Sequence, residues 1–401
     1  MALSNPEKFQ INEVMYVIGS LSVGGTERHL VSIAEGLRDR GWQTSIFAFS
    51  RSGPLLYELD SKKIPVYGPT PNKQENSRLL KYILIWIRLI RGAIKLAIIL
   101  IKRKNIIIHF FLPSAYILGG AISCMVGSQP RIMSRRSLNN YQANKPLYRR
   151  IEHYLHSRMN ILIGNSLAVV SELESETKGN KPIRLIYNGI KTDCTKSIND
   201  NQIRLDLNIK EDALVYIIVA NLIPYKGHAD LLLALANIRD QLPNPWNLIC
   251  IGRDDGILSS LQRKAKNLGI SENIRWLGLC MDVRDYLAVA DIAVSASHEE
   301  GFSNAVLESM LAGLPIVGTN VGGNSEAIIN NITGYIVAPY KPYELGDALL
   351  KMARNKDRKM MGKRGKECVT KKFSMSTCLD NYEEIYRQVN TRKIFSIDKK
   401  Y

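Results

Sequence analysis

Two glutamates frame the chemistry this chain could perform. Glu300 and Glu308 stand eight residues apart within Ser295–Gly318, which reads SASHEEGFSNAVLESMLAGLPIVG. An ionised carboxylate only accepts hydrogen bonds, so it suits pairs of sugar hydroxyls. Between the two lie Gly301, Phe302, Ser303 and Asn304. Gly301 permits a tight turn, and Ser303 is a good helix N-cap. The backbone N–H groups of Phe302, Ser303 and Asn304 then converge on a helix mouth of partial positive charge, which suits a phosphate. Glu308, four residues after Asn304, shares its helix face and leans toward that mouth. Alone, Glu299-Glu300 and Glu308 would read as solvated surface charges. The Gly-Phe-Ser turn and the following Ala312-Gly313-Leu314-Pro315 decide otherwise. A phosphate flanked by hydroxyl-binding carboxylates describes ribose, diphosphate and hexose: a nucleotide sugar.

Stepping outward, these residues need strands that end beside one another. Apolar runs at Leu214 to Ala220, Asn247 to Gly252, Ile274 to Leu277, Asp291 to Ser295, Pro315 to Gly318 and Gly334 to Ala338 alternate with helical stretches. Earlier runs at Glu13 to Ile18, Thr44 to Phe49, Ile64 to Tyr67, Ile106 to Phe110, Arg131 to Ser134, Ile161 to Gly164 and Ile183 to Ile186 do the same. Repeated βαβ implies parallel sheets with ligands at the carboxyl ends of the strands. Lys226 follows one such end, Gly24 and Gly25 another. His109, Arg135 and Arg136 also fall at strand ends and become candidates for an acceptor. Gly19 to Glu27 is not G-x-G-x-x-G, so the dinucleotide fingerprint is absent.

Glu300-Gly301-Phe302, Glu308 and Gly313-Leu314-Pro315 together resemble the signature of glycosyltransferase family four. Gly24-Gly25, Asn188-Gly189, Lys226-Gly227, Gly252-Arg253 and Gly322-Gly323 follow the same family order. The resemblance implies a GT-B fold: α/β, with two Rossmann-like doubly wound parallel-sheet domains facing a central cleft. It implies an acceptor-binding domain over 1–190, a nucleotide-sugar domain over 191–373, and a C-terminal helix in 374–401 that crosses back. The tail from Lys393 to Tyr401 reads as loose. The resemblance also implies donor contacts from Gly24, Gly25, Lys226 and Glu300 to Glu308, with Glu300 on the hexose and Glu308 on the ribose. The family's Arg-x-x-x-x-Lys-Gly is matched at Lys226-Gly227, but Asn221 stands where the Arg is usual. Arg253 could supply that charge.

Six cysteines without C-x-x-C or metal-ligand spacing, and no signal peptide, read as a reduced cytosolic chain. Residues 1–190 carry a net charge of +14, out of +17 for all 401 residues. Such a block implies an anionic partner. Its centre is the basic amphipathic helix 78–104. Lys81, Arg88, Arg91, Lys95 and Lys102 form one stripe beside a wide apolar face. Part of that face must cover the sheet, and the rest suits an anionic membrane surface. No zinc finger, helix-turn-helix or RNA-recognition signature supports nucleic acid as the partner.

The expected reaction is retaining transfer of a hexose or N-acetylhexosamine from a UDP-sugar. The expected acceptor is a lipid-linked (polyisoprenyl diphosphate) saccharide at the inner face of the cytoplasmic membrane, with a soluble acceptor as the alternative. No Asp-x-Asp occurs in the chain. The leaving diphosphate is therefore expected to meet Lys226 and the helix mouth rather than a metal, and no cofactor is expected. Glu300 is the one obvious nucleophile for a double displacement. A front-face route, with a leaving phosphate oxygen taking the acceptor proton, is the other reading.

Overall fold

Val14 to Ile18 shows how these strands are specified. Val14, Tyr16 and Ile18 sit in one core cluster, and Met15 and Val17 in another. A strand apolar at every position has to be covered on both faces, which is the condition of a parallel sheet. The computed structural model describes residues 11–71, 78–127, 129–143, 145–192, 200–280 and 282–390. They divide into two compact units: one up to Tyr187 together with the chain from Met375, the other Asn188–Ser374.

Unit 1 opens with β1 (Glu13–Ser20), α1 (Gly25–Asp39), β2 (Gln43–Ser50), α2 (Leu55–Ser61) and β3 (Val66–Tyr67). It continues with α3 (Arg78–Lys102), β4 (Ile107–Phe111), α4 (Pro113–Val126) and β5 (Arg131–Arg135). Then come α5 (Pro146–His156), β6 (Ile161–Gly164), α6 (Leu167–Thr177) and β7 (Ile183–Leu185). The seven strands are parallel in the order β3-β2-β1-β4-β5-β6-β7. Helices α3, α4 and α5 cover one face of this sheet.

Unit 2 runs α7 (Asp200–Asp206), β8 (Leu214–Val219), α8 (His228–Ile238), β9 (Trp246–Ile251), α9 (Leu258–Asn267) and β10 (Ile274–Gly278). It goes on through α10 (Arg284–Ala288), β11 (Ile292–Ser295), α11 (Asn304–Leu311), β12 (Ile316–Thr319), α12 (Asn324–Ala327) and β13 (Gly334–Val337). Helices α13 (Pro342–Arg354) and α14 (Arg358–Lys372) complete it. Its six parallel strands run β10-β9-β8-β11-β12-β13. In each sheet the order reverses once, at β1/β4 and at β8/β11. Those are the switch points where α/β sheets open a crevice.

The last helix, α15 (Met375–Asn390), belongs to unit 1. Its Leu379 packs so closely on α1 that a Cβ on Gly36 would lie 2.4 Å from it. Trp42 Nε1 donates to Glu383 at 2.8 Å, and Arg40 bridges Asp380 at 2.6 Å. The residues from Lys393 to Tyr401 lie outside the described ones.

A buried ion network locks α5 and α6 onto β5. Arg135 donates to both Glu176 oxygens at 2.6 and 2.8 Å and to Glu152 at 2.8 Å. His156 Nε2 lies 3.0 Å from Glu176, and its Nδ1 lies 2.9 Å from the Tyr116 hydroxyl. Burial alone would raise the Glu176 pKa. The bonds from His156, Arg135 and Asn139 outweigh it and hold the carboxyl well below its usual range. A lowered carboxylate pKa stabilises the fold fully above the unfolded value of about 4.3, and this is lost as pH falls through the folded value. Glu176→Gln should therefore destabilise unit 1 by roughly 3 kcal/mol at neutral pH. It should also flatten the acid limb of a urea-midpoint-against-pH curve below about pH 5. An unchanged acid limb would show that this carboxylate is not what acid titrates.

Candidate functional site

The switch point of unit 2 brings two loops face to face. β8 and β11 pair directly, Ile292 beside Tyr216. After β8 the chain makes a short turn, Pro224–Lys226, and enters α8 through Gly227. After β11 it loops through Ser297 and Glu300 into α11, which Ser303 caps by accepting from Val306 N–H. Gly227 has φ +71°, and a Cβ there would lie 1.8 Å from the Ala296 carbonyl oxygen. A side chain would hold the two loops apart, whatever its chemistry.

That contact sets an ion pair. Lys226 Nζ lies 2.6 Å from Glu300 Oε1, with 18% and 12% of the two side chains exposed. Ser297 Oγ donates to the same oxygen at 2.9 Å. Lys226 Nζ also stands 5.1 Å from the Tyr225 ring centroid. Burial pulls the lysine pKa down, but Glu300 opposes it and the net shift is upward. Lys226 is thus a firm cation. Next to it, burial and Lys226 push the His228 imidazole down to about 4, so that ring is neutral near pH 7.

The mouth of α11 is braced from two sides. Asn188 Nδ2 donates to the Phe302 carbonyl at 2.9 Å and to Asn304 Oδ1 at 2.6 Å. Gly323 N–H donates to the Gly301 carbonyl at 2.8 Å. Gly322 has φ +48°, and a Cβ there would sit 1.9 Å from the Glu300 backbone carbonyl oxygen. Glu308 is half-buried on α11. The structure therefore gathers Lys226, Glu300, Gly301, Phe302, Ser303 and Asn304 around one helix mouth, and Glu308 stands on the same helix. Asn221 uses its side-chain oxygen to accept from the Arg253 N–H at 3.1 Å. The exposed Arg253 guanidinium is gripped by Asp255 at 2.8 and 3.1 Å, which balances its charge. Among the described residues, no group of three or more His, Cys, Asp or Glu is placed to hold a metal ion.

In unit 1, Gly24 caps α1 and Gly25 begins it. The Glu27 carboxylate folds back over Gly24, 2.3 Å from where a Cβ would be. Arg136 follows β5, half-buried, in reach of the charge of Glu27 and hydrogen-bonded to Tyr382. Two expected acceptor residues are corrected. His109 is fully buried, with Nδ1 2.7 Å from the Tyr386 hydroxyl and Nε2 2.7 Å from Ser134 Oγ. Arg135 is buried and paired with Glu152 and Glu176. Each of these side chains is spent inside the core and offers nothing to a ligand.

Helix α3 turns Leu96, Leu100 and Gly92 inward. Its other side exposes Trp86, Ile87, Ile90, Ile94, Ile98 and Ile101 by 43 to 65%. Arg91, Lys95 and Lys102 are exposed along one flank. Arg88 lies deeper, its Nε buried without a partner among the described residues. The Lys81 side chain lies outside the described ones. No described helix is long and apolar enough to cross a membrane.

Residues missed from the sequence are Ser297 and Tyr225, which dress the ion pair, and Asn188 in its bracing role. Asn188-Gly189 did stand out as a motif, but its partner is over a hundred positions away.

Residues 23–194 match the family model described as Glycosyltransferase Family 4, and residues 199–368 the model described as Glycosyl transferases group 1. N-acetyl-alpha-D-glucosaminyl L-malate synthase of Bacillus anthracis is 28% identical over 225 residues, 56% of this chain and 58% of that one. Lipopolysaccharide 1,2-N-acetylglucosaminetransferase of Salmonella typhimurium is 27% identical over 213 residues, 50% of this chain and 55% of the other. The chain thus spans a little over half the length of these curated relatives. Among solved structures, Anabaena Alr3699/HepE in complex with UDP and glucose aligns with a TM-score of 0.80 at 20% identity, over 93% of this chain and 98% of that one. Sucrose-phosphate synthase from Thermosynechococcus elongatus aligns with a TM-score of 0.78 at 19% identity, over 94% and 99%. At such identities the likeness is one of fold.

The loop contact gives a direct test. Gly227→Ala meets both a left-handed φ and a backbone oxygen, so it should cost at least 1–2 kcal/mol, roughly the left-handed penalty alone. Gly256→Ala, also at positive φ (+104°) but with open space around it, should cost less. Equal losses in thermal melts would mean that the loops do not depend on this approach.

Proposed function

Because the chain belongs to glycosyltransferase family 4 and has its GT-B fold, we propose that it is a retaining glycosyltransferase. It moves a hexose or N-acetylhexosamine from a UDP-sugar to a polyisoprenyl diphosphate-linked saccharide. It works at the inner face of the cytoplasmic membrane, in surface polysaccharide or glycan assembly. The observation that carries this reading is the Lys226–Glu300 pair at the mouth of α11. One cation for a diphosphate and one carboxylate for sugar hydroxyls stand in contact at the switch point. The names of the relatives support the glycan setting, and the UDP and glucose bound to the Anabaena protein support the donor class.

In this reading the donor diphosphate takes Lys226 from Glu300. Phosphate oxygens are doubly served there, by the ammonium and by the N-terminal dipole of α11. Glu300, released, turns to the hexose hydroxyls, and Glu308 holds the ribose. Asn221 holds the turn at Arg253, whose guanidinium is available to the diphosphate if Asp255 releases it. Arg136 is the remaining acceptor-side cation. Charge developing on the leaving diphosphate meets Lys226, already a cation and already in place. No divalent metal is required. A leaving phosphate oxygen takes the acceptor proton as the new bond forms on the same face. Glu300, bound to hydroxyls, is then not the nucleophile.

A soluble acceptor is the second reading, favoured by the malate in the name of the Bacillus anthracis relative. The nucleic-acid alternative loses ground, since the described exposed face of α3 carries isoleucines and a single aromatic, Trp86, rather than a row of stacking aromatics.

A screen of UDP-sugar hydrolysis by the purified protein should find one preferred donor. Lys226→Ala and Glu308→Gln should each weaken its use by about 1.5–3 kcal/mol, roughly 10- to 150-fold in kcat/KM. Normal transfer by the double variant Glu300→Ala, Glu308→Gln would sink the site assignment. Activity should also survive excess EDTA. Complete loss on chelation, restored by Mg²⁺ or Mn²⁺, would replace the lysine clamp with a metal.

A further inference from the structure

Helix α5 carries an outward face of the same kind as α3. Leu147, Ile151 and Tyr154 are 70, 37 and 57% exposed. At 100° per residue they fall inside about 60° of arc, and Arg158 follows two residues beyond the helix end. Arg158 lies over the Tyr154 ring at 5.1 Å and donates to its hydroxyl at 3.0 Å. Arg149 and Arg150 are exposed on the same helix. Solvated helices place polar residues outward, so an apolar outer stripe needs a reason. A loose helix is not the reason. The opposite side of α5 holds Glu152, Leu155 and His156, all buried, with two of them tied to Arg135. The helix cannot roll to hide Leu147 without breaking that network.

We propose that α5 is a second membrane-contacting helix, so that the layer α3–α4–α5 lies on an anionic bilayer through two separate contacts. This rests on the membrane reading above and extends it to a surface the sequence did not indicate. Charge selects a bilayer over a second copy of the chain. Arg91, Lys95 and Lys102 flank the α3 stripe, and Arg150 and Arg158 stand beside that of α5. A two-fold contact of this face with itself sets those cations against one another, whereas anionic headgroups neutralise them. Trp86 and Tyr154 add the side chains that favour a membrane–water interface.

Two contacts do what one cannot. A single helix in the interface leaves unit 1 free to roll about that helix axis, and a second removes the freedom. Helix α3 leads into β4, and α5 leads into β6. Both therefore start at the carboxyl edge of the sheet, where Gly24, Gly25 and Arg136 lie. A fixed roll angle holds that edge at a constant height above the headgroups, within reach of an acceptor whose lipid stays in the bilayer.

Flotation with phosphatidylglycerol–phosphatidylcholine vesicles tests this on the full chain. Three proteins are compared: the parent, Leu147→Ser/Ile151→Ser/Tyr154→Ser, and Ile90→Ser/Ile94→Ser/Ile98→Ser. Thermal melts and UDP-sugar hydrolysis, both expected unchanged, check the fold. Each variant should lose about tenfold or more in vesicle affinity, since each removes buried apolar area from one contact. If the α5 variant floats like the parent while the α3 variant does not, the second contact is wrong and the membrane reading stands. A parent that does not float overturns both. A parent dimer in gel filtration that the α5 variant dissolves would assign this face to a second copy. Should the serine variant melt early, Arg150→Glu/Arg158→Glu poses the same question with exposed charges, and parent-like flotation would again overturn the proposal.

Discussion

The carboxyl edge of the second sheet depends on one ion pair at close quarters. Lys226 and Glu300 come from loops after neighbouring strands, and they meet at 2.6 Å because Gly227 lets those loops touch. Neither charge is well solvated, so each needs the other. In the proposed function, an arriving diphosphate would change the partners without changing the count of satisfied charges: the lysine would gain an anionic group and the carboxylate hydroxyls. Ser297, Asn188, Gly322 and Gly323 hold the loop and the helix mouth around this exchange.

Local chemistry was legible in the sequence, and long-range commitments were not. Ile161 to Gly164 was readable to the residue, because an all-apolar run between turns has one solution in a parallel sheet. The third strand starts at Val66 rather than Ile64, since Pro65 has no N–H to give the ladder. Ser303 was readable for the same reason, being a cap residue whose neighbours in sequence are its neighbours in space, whereas Lys226 stood out only through the family's Lys-Gly motif and its partner Glu300 lies 74 positions away. His109 and Arg135 misled because a strand's end fixes where the backbone stops, not where a side chain points. β4 runs on to Phe111, which leaves His109 inside the sheet and turned toward α15. Arg135 is the last residue of β5 and Arg136 the first beyond it, and the two side chains take different partners. One is neutralised under α5 and α6, and the other stands near Glu27 and Tyr382.

The basic helix shows the same limit in another form. A helical wheel gives relative angles and no absolute direction. The sequence showed cations beside an apolar arc, but not that leucines face the sheet while isoleucines face away from it. Gly92 was the unread signal. A Cβ there would lie 3.0 Å from the Phe49 ring, so only the glycine side of α3 can sit this close to the strands. The outer arc is left exposed. The ion network under α5 has a comparable effect two helices along, turning a stability feature into an orientation for Leu147, Ile151 and Tyr154.

The central claim is that a protein cation, borrowed from a carboxylate, receives the diphosphate. Isothermal titration of UDP in metal-free buffer reads it most directly, in the parent, in Lys226→Ala and in Glu300→Gln. The expected result is that Lys226→Ala loses about tenfold or more in affinity, the worth of a charge-assisted bond. Glu300→Gln, with its lysine no longer held back, should bind UDP at least as tightly as the parent. Parent-like UDP affinity in Lys226→Ala, or binding that appears only when Mg²⁺ is added, would contradict the account.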